Sequence, residues 1–315
     1  MPFKALSSVK KVAALAGEVR HIAELGPDGL IGALTTDPVT LAVNPVGTGT
    51  AKTAKIGLAE AHEFAFLSKL VAVVRANDDL WGVIDIAHTP KLDQSGHNFR
   101  ALCASPSGES ALGLSWDGRG AVLNLRKNEV IGRDFALRGD VRAAALAATE
   151  CFVIVEGGTG GQYRVHAGPT PEAAPHVRAD LPTEAKDLDR MRATPELAVV
   201  YKKGNDTACV VRRQANTASA KMVTFEQRAL DFCVISSSLF VVGADGKLRL
   251  YNSDVLQKAT GEVMTPTAVI DMRVDGEPSA LGTSTSRGAA TVWLGTKRGE
   301  LIRVEAIKGG LALPA

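Results

Sequence analysis

The chain has 315 residues, 45% of them hydrophobic, with 36 basic side chains against 34 acidic ones. That hydrophobic share supplies a large core, and a net charge of +2 is too small to imply a nucleic-acid or membrane partner from bulk charge alone. The four cysteines, Cys103, Cys151, Cys209 and Cys233, stand too far apart for a zinc site, and their apolar settings read as small buried hydrophobes in a reducing compartment.

The N-terminal stretch MPFKALSSVKKVAALAGEVRH starts basic but has no uninterrupted apolar core followed by a small-residue cleavage site. No run elsewhere reaches the about 20 apolar residues that span a bilayer. These features predict a soluble intracellular protein of the cytoplasm, with the nucleus left open. From there on a phrase recurs: a small-residue strand, a polar turn and a second apolar strand. It is clearest in 101–125 (ALCASPSGESALGLSWDGRGAVLNL) and returns in 231–251 (DFCVISSSLFVVGADGKLRLY). Chain reversals favour Gly, Asp and Asn, and aligning the copies on such residues puts turns at Asp37, Asp78, Asp117, Gly158, Gly204, Asp245 and Arg298. The strands before them read LIGALTT, LVAVVRAN, SALGLSW, CFVIVEG, LAVVYKK, LFVVGA and TVWLGTK. Those after read VTLAV, LWGVIDIA, AVLNL, QYRVHAG, ACVVRRQ, KLRLY and ELIRVEAI. Short runs rich in Val, Leu and Ile between turn residues are strands.

Seven units of about 45 residues match the length of a four-stranded propeller blade, which cannot bury both its faces alone. The expectation is therefore an all-β fold: one domain over 1–315, a seven-bladed β-propeller of four-stranded antiparallel blades. The wide gap between the sixth and seventh turns predicts an insertion near 258–277. Two Gly-, Thr- or Pro-rich stretches, 45–55 and 168–182, read as mobile surface connections with little strand signal. Ala14 to Arg20 reads ALAGEVR and Ala136 to Arg142 reads ALRGDVR, the latter joining an outer strand to the next inner one. By that match Lys10 to Leu15 is also an outer strand, and it completes the last blade, which otherwise lacks one.

The third and sixth units resemble the WD40-type β-propellers. Gly96-His97 stands where those repeats carry Gly-His, Ser105-Pro106-Ser107-Gly108 in place of their Ser-Pro-Asp-Gly turn, and Asp117-Gly118 comes next. In the sixth unit Asp245-Gly246 leads to Leu248-Arg249-Leu250-Tyr251-Asn252, similar to the stretch that ends in Trp-Asp in the family. No unit has Trp-Asp at that position. The resemblance implies a partial hydrogen-bonded set inside the third blade, His97, Ser115 and Asp117, with Asp245 as a turn former of the sixth.

No catalytic or metal motif stands out. The six histidines show no metal-ligand spacing, and Gly157 to Gly161 lacks the Lys-Ser/Thr and helix of a phosphate loop, so it reads as a hairpin turn. No enzyme activity, cofactor or metal is expected. Arg20, Arg100, Arg142 and Arg273 each come after an apolar residue at what reads as the start of an inner strand. Such a set would ring one mouth of the channel and suit an acidic peptide or phosphorylated ligand through bidentate bonds. Pairing with the acids of the preceding turns, Glu18, Asp140 or Asp271, is the internal alternative. Lys202, Lys203, Arg212 and Arg213 bracket the fifth hairpin, either as one patch for a phosphoinositide or nucleic-acid backbone or as a solvated sheet edge. The leading expectation is a scaffold, a subunit or adaptor that docks protein partners, one of them acidic; the anionic-ligand reader is the alternative.

Overall fold

The structure, a computed structural model, describes residues 3–25, 30–37, 39–43, 52–55, 61–68, 71–76, 81–85, 92–95, 101–104, 110–114, 119–124, 129–130, 135–136, 140–147, 150–156, 163–169, 177–214, 217–258, 262–286 and 289–308. Among them the strands form seven antiparallel sheets, which fits the count expected from the turns. In chain order the sheets cover 19–55, 61–95, 101–136, 140–180, 190–224, 229–271 and 278–308, and each runs as a meander of consecutive strands. Sheet seven takes its fourth strand from the N-terminus: Phe3–Ala14 pairs with Glu300–Lys308 from Phe3↔Lys308 to Ala14↔Glu300, as the ALAGEVR match implies. Sheet three departs from four strands. Its third strand, Arg119–Asn124, carries two short partners, Glu129–Val130 and Phe135–Ala136.

Four of the expected reversals fall within the described residues, each between the second and third strands of its sheet. Left-handed backbone occurs there at Asp37, Gly204, Gly246 and Gly299, which is why Gly or Asp recurs at this position. The turns expected at Asp78, Asp117 and Gly158 lie outside the described residues.

The chain divides into two compact units, Met1–Ile56 with Lys203–Asp206 and Val223–Ala315, and Gly57–Lys202 with Thr207–Met222. In the first, the opening strand of sheet seven, Pro278–Ser286, packs against the opening strands of sheets one and six. Phe240, Val242, Leu248 and Leu250 of sheet six interdigitate with Leu281, Val292, Leu294, Ile302 and Val304 of sheet seven. In the second unit, Phe152, Ile154 and Val165 of sheet four meet Met191, Ala198, Val200, Cys209 and Val211 of sheet five. Because apolar layers cover both faces, second strands such as Leu197–Tyr201 and Ser238–Gly243 are buried at every position. The fourth strand Ala268–Asp271 instead alternates between half-buried and exposed. Cys209 and Cys233 are buried free thiols, as expected, and burial pushes Cys209 up to about 12. The side chains of Cys103 and Cys151 lie outside the described residues.

Three boundaries differ from the sequence expectation. The stretches 45–55 and 168–182 are not merely connections: they supply the fourth strands Lys52–Lys55 and Val177–Asp180, whose hydrogen bonds come from neighbouring strands and not from local apolar pattern. A 3-10 turn, Thr183–Asp187, then buries Ala185 and brings Leu181 and Leu188 into the sheet four/five core. The insertion of sheet six begins earlier than expected, after Tyr251. A short helix, Ser253–Lys258, is capped by Asn252, whose Oδ1 accepts from the Val255 N–H at 3.1 Å, and Val263 then bridges to Thr224 before the fourth strand begins at Ala268.

Sheet seven approaches sheet one closely enough that only glycine fits. A Cβ on Gly282 would stand 2.5 Å from Ile22 Cγ2 and 3.0 Å from the Ile22 carbonyl oxygen, and one on Gly295 would overlap Val19. Gly282→Ala is expected to lower the unfolding free energy by about 2 kcal/mol in urea denaturation. An unchanged midpoint would mean that the two sheets are not in contact as described.

Candidate interaction site

Opening strands share a local irregularity. In sheet six Ala229 pairs with Gly243 and Asp231 with Val242, so Leu230 is an extra, bulged residue. The same bulge falls on Arg20 in sheet one, His62 in sheet two, Arg142 in sheet four and Ser279 in sheet seven. Just past its bulge, Asp231 is fully buried. Its Oδ2 accepts the Leu281 N–H of sheet seven at 2.8 Å and lies 3.4 Å from the Lys203 ammonium. Lys203 also donates to the Ser279 carbonyl at 2.6 Å, and the Ser279 hydroxyl donates to the Val19 carbonyl of sheet one at 2.6 Å. A continuous polar chain thus runs from Lys203 through sheets six and seven to sheet one.

The four arginines do not occupy one equivalent set. Arg20 and Arg142 lie at bulges of opening strands, beside the fully buried Val19 and Val141, as expected. Arg100 lies outside the described residues. Arg273 is not on an opening strand: it comes after the fourth strand Ala268–Asp271 of sheet six, and sheet seven opens only at Pro278. Its backbone is left-handed at φ 46, and its N–H donates to Asp271 Oδ1 at 3.0 Å. The sequence cue failed because an apolar residue before an Arg also occurs where a strand ends. Arg142 is engaged internally. It donates to Glu156 Oε2 through Nε at 2.8 Å and through Nη2, and its guanidinium lies 5.9 Å from the Tyr163 ring centre. The Glu156 bonds raise its already high pKa.

The second basic group is dispersed. Arg212 pairs with Leu197, whereas Lys202 comes after Tyr201, which pairs with Ala208; the five steps from Leu197 to Lys202, at about 3.3 Å each, put them about 16 Å apart. Two pairs at opposite ends of a hairpin make no single patch. Lys203 is committed to Asp231 and Ser279. On the adjacent strand Thr217–Thr224, burial and the nearby Arg212 push Lys221 below the ordinary lysine range.

One cavity of about 450 Å³ lies where sheets six and seven meet the N-terminal strand. Its buried part includes Met272, Ile302 and Glu300, and its exposed part Asp271, Arg273, Asp275 and Lys11. Among the described residues the Arg273 guanidinium has no hydrogen-bond or ion-pair partner. Glu300 is only 5% exposed; its Oε1 accepts from the Lys11 ammonium and its Oε2 has no partner. The Glu300 bond holds Lys11 above the usual lysine range. Among the described residues no group of His, Cys, Asp and Glu is arranged to hold a metal ion, and no helix is long and apolar enough to cross a membrane.

No family model and no curated protein matches the sequence. Among solved structures, the WD40 domain of Neurospora crassa Pan2 is similar with a TM-score of 0.64 over 95% of this chain and 96% of that one, at 11% identity. The fold is that of a WD40-type β-propeller.

The sheets are accordingly blades, and the hydrogen-bonded set of this propeller can be compared with the one the sequence suggested. His97, Ser115 and Asp117 lie outside the described residues. In blade six Asp245 does form its turn, accepting the Lys247 N–H at 3.3 Å, and it also holds Arg249 at 2.9 and 2.6 Å. This pair fills the space over Gly243, where a Cβ would stand 2.6 Å from Asp245 Oδ1. Sequence reading passed over Asp231, Arg249 and Glu300. For the first two a signal was present, a charge inside an otherwise apolar strand (LDFCVI, KLRLY), which calls for a buried partner.

These pairs have two measurable consequences. Asp231→Ala, which strands Lys203 and the Leu281 N–H, is expected to cost about 3 kcal/mol of stability by denaturant unfolding, while a loss below about 0.5 kcal/mol would mean that the polar chain is incidental. The Arg249 guanidinium holds Asp245 below the usual carboxylate range, so its contribution is present above the unfolded pKa near about 3.9 and fades as pH falls through the lower folded value. Wild type should therefore exceed Asp245→Asn in melting temperature at pH 7, with the gap closing in strong acid. A gap that widened on acidification would contradict the pairing.

Proposed function

We propose that this protein is a non-enzymatic interaction scaffold: a single propeller domain over 1–315 that holds protein partners as an adaptor or subunit of a complex. The observation that carries the reading is the cavity of about 450 Å³ in blades six and seven, which joins a floor of core residues to exposed charged side chains at its opening. Blades locked by apolar layers and by the Asp231 chain make a rigid support for such a surface, and rigidity reduces the entropy lost on docking. The fold alone does not assign the role.

The four-arginine ring is not part of the proposal, because Arg142 gives its guanidinium to Glu156 and Tyr163, and Arg273 stands after an outer strand. The anionic-ligand reader loses its basis in a single patch, since Lys203 is committed and Lys202 and Arg212 lie at opposite ends of their hairpin. Free buried thiols at Cys209 and Cys233 fit a reducing compartment, and we place the protein in the cytoplasm or nucleus.

The full chain, tagged and purified from its own cells, should retain one or more proteins in near-stoichiometric amounts through size-exclusion chromatography at physiological salt. Elution of the chain alone would overturn the scaffold reading. Binding to phosphoinositide vesicles or single-stranded nucleic acid that collapses between low and physiological salt would favour the anionic-ligand reader instead.

A further inference from the structure

Glu300 comes directly after the Arg298–Gly299 turn of blade seven and begins its third strand, opposite Ala14 of the N-terminal strand. A carboxylate so deeply buried needs partners for both oxygens, since an unmet charged acceptor in a low-dielectric setting is costly. Only Oε1 has one. That partner, the Lys11 ammonium, reaches in from an outer edge strand whose pairing is interrupted by bulges, and its side chain is 54% exposed. Here the ammonium serves one oxygen, whereas the planar fork of a guanidinium matches both in a bidentate pair.

The remaining walls fit a guanidinium on a carbon stem. Asp271 and Asp275 stand at the opening and Ile270, Val274 and Ile302 supply apolar surface. Three carboxylates face two cations, Lys11 and Arg273, so the lining carries one net negative charge, and two once Lys11 swings out to solvent. An anionic group entering here would meet Asp271, Asp275 and Glu300.

We propose that this cavity is an arginine pocket, in which an arginine side chain of a partner polypeptide displaces Lys11 and takes both oxygens of Glu300. Lys11 is the placeholder that keeps the buried carboxylate paired while the pocket is empty. The stem of the arginine lies along Ile270 and Val274, and Asp275 adds attraction at the opening. This identification rests on the scaffold reading for its biological partner, but the pocket itself is tested without one.

The probe is the capped peptide acetyl-Gly-Arg-Gly-amide, titrated against the full chain by NMR, with the Lys and Glu peptides of the same length as comparisons. The Arg peptide is expected to bind about tenfold more tightly than the Lys peptide, for loss of the second bond, and the Glu peptide not to bind. Glu300→Gln should abolish the Arg preference. Asp275→Asn, at an exposed position outside the Lys11–Glu300 pair, should weaken the Arg peptide with no change in melting temperature, and so reads the site even if Glu300→Gln does not fold. Lys11→Met should tighten the Arg peptide severalfold, because the competitor is gone. Equal binding of the Arg and Glu peptides, or weaker binding to Lys11→Met, would overturn the pocket. So would native partners retained equally by wild type, Lys11→Met and Asp275→Asn, a result that leaves the scaffold reading intact.

Discussion

The fully buried carboxylate of Asp231 meets a constraint that any stack of separate sheets creates. The opening strand of each blade is a sheet edge, so half of its backbone groups have no partner within the blade. In the first unit the opening strand of blade seven packs against those of blades one and six. Asp231 accepts the Leu281 N–H across one such gap, and the Ser279 hydroxyl donates to the Val19 carbonyl across the next. Lys203 neutralises the buried charge and ties in the Ser279 carbonyl. The shared bulge matters here because an extra residue re-aims the side chains beyond it, and Asp231 is the residue after the bulge in blade six.

Packing and polar bridging depend on each other. Gly282 and Gly295 let blade seven come within contact of Ile22 and Val19, and that approach is what brings the Ser279 hydroxyl to the Val19 carbonyl. The interlocked side chains of blades six and seven in turn hold the two opening strands at hydrogen-bonding distance. Burial falls from the second strand of a blade to its fourth, so the freedom to vary lies at the outer strands. There blade six carries its insertion, and there the cavity opens.

The cavity arises because blade seven is completed by a strand from the other end of the chain. Lys11 comes from that strand, Glu300 from the strand it pairs with, and Arg273 from the link between blades six and seven, held left-handed with its N–H on Asp271. Elsewhere Asp245 pairs with Arg249, and Arg142 with Glu156. Glu300, with one oxygen unmet, lines a cavity with Arg273, whose guanidinium has no partner among the described residues, and perturbed charges of this kind cluster at functional sites.

Much of the fold was legible because it is local. Apolar runs of four to eight residues, and Gly or Asp where the backbone turns left-handed, mark strands and reversals within a few residues of each other. The match of ALAGEVR to ALRGDVR even located the strand that completes blade seven. The fourth strands Lys52–Lys55 and Val177–Asp180 were missed, since an outer strand needs only backbone partners and carries no apolar signature. Side-chain roles were harder still. Arg142 could be placed beside a buried valine by pattern, but that it turns to Glu156 and Tyr163 is decided by the register of a neighbouring strand. Lys11 and Glu300 are 289 residues apart, and no spacing rule joins them. The sequence by itself determined strands, turns and their repetition, because these rest on short-range backbone preference. Only the tertiary structure decided which charges are paired internally and which are left to bind, because that depends on what the folded chain brings within about 3 Å.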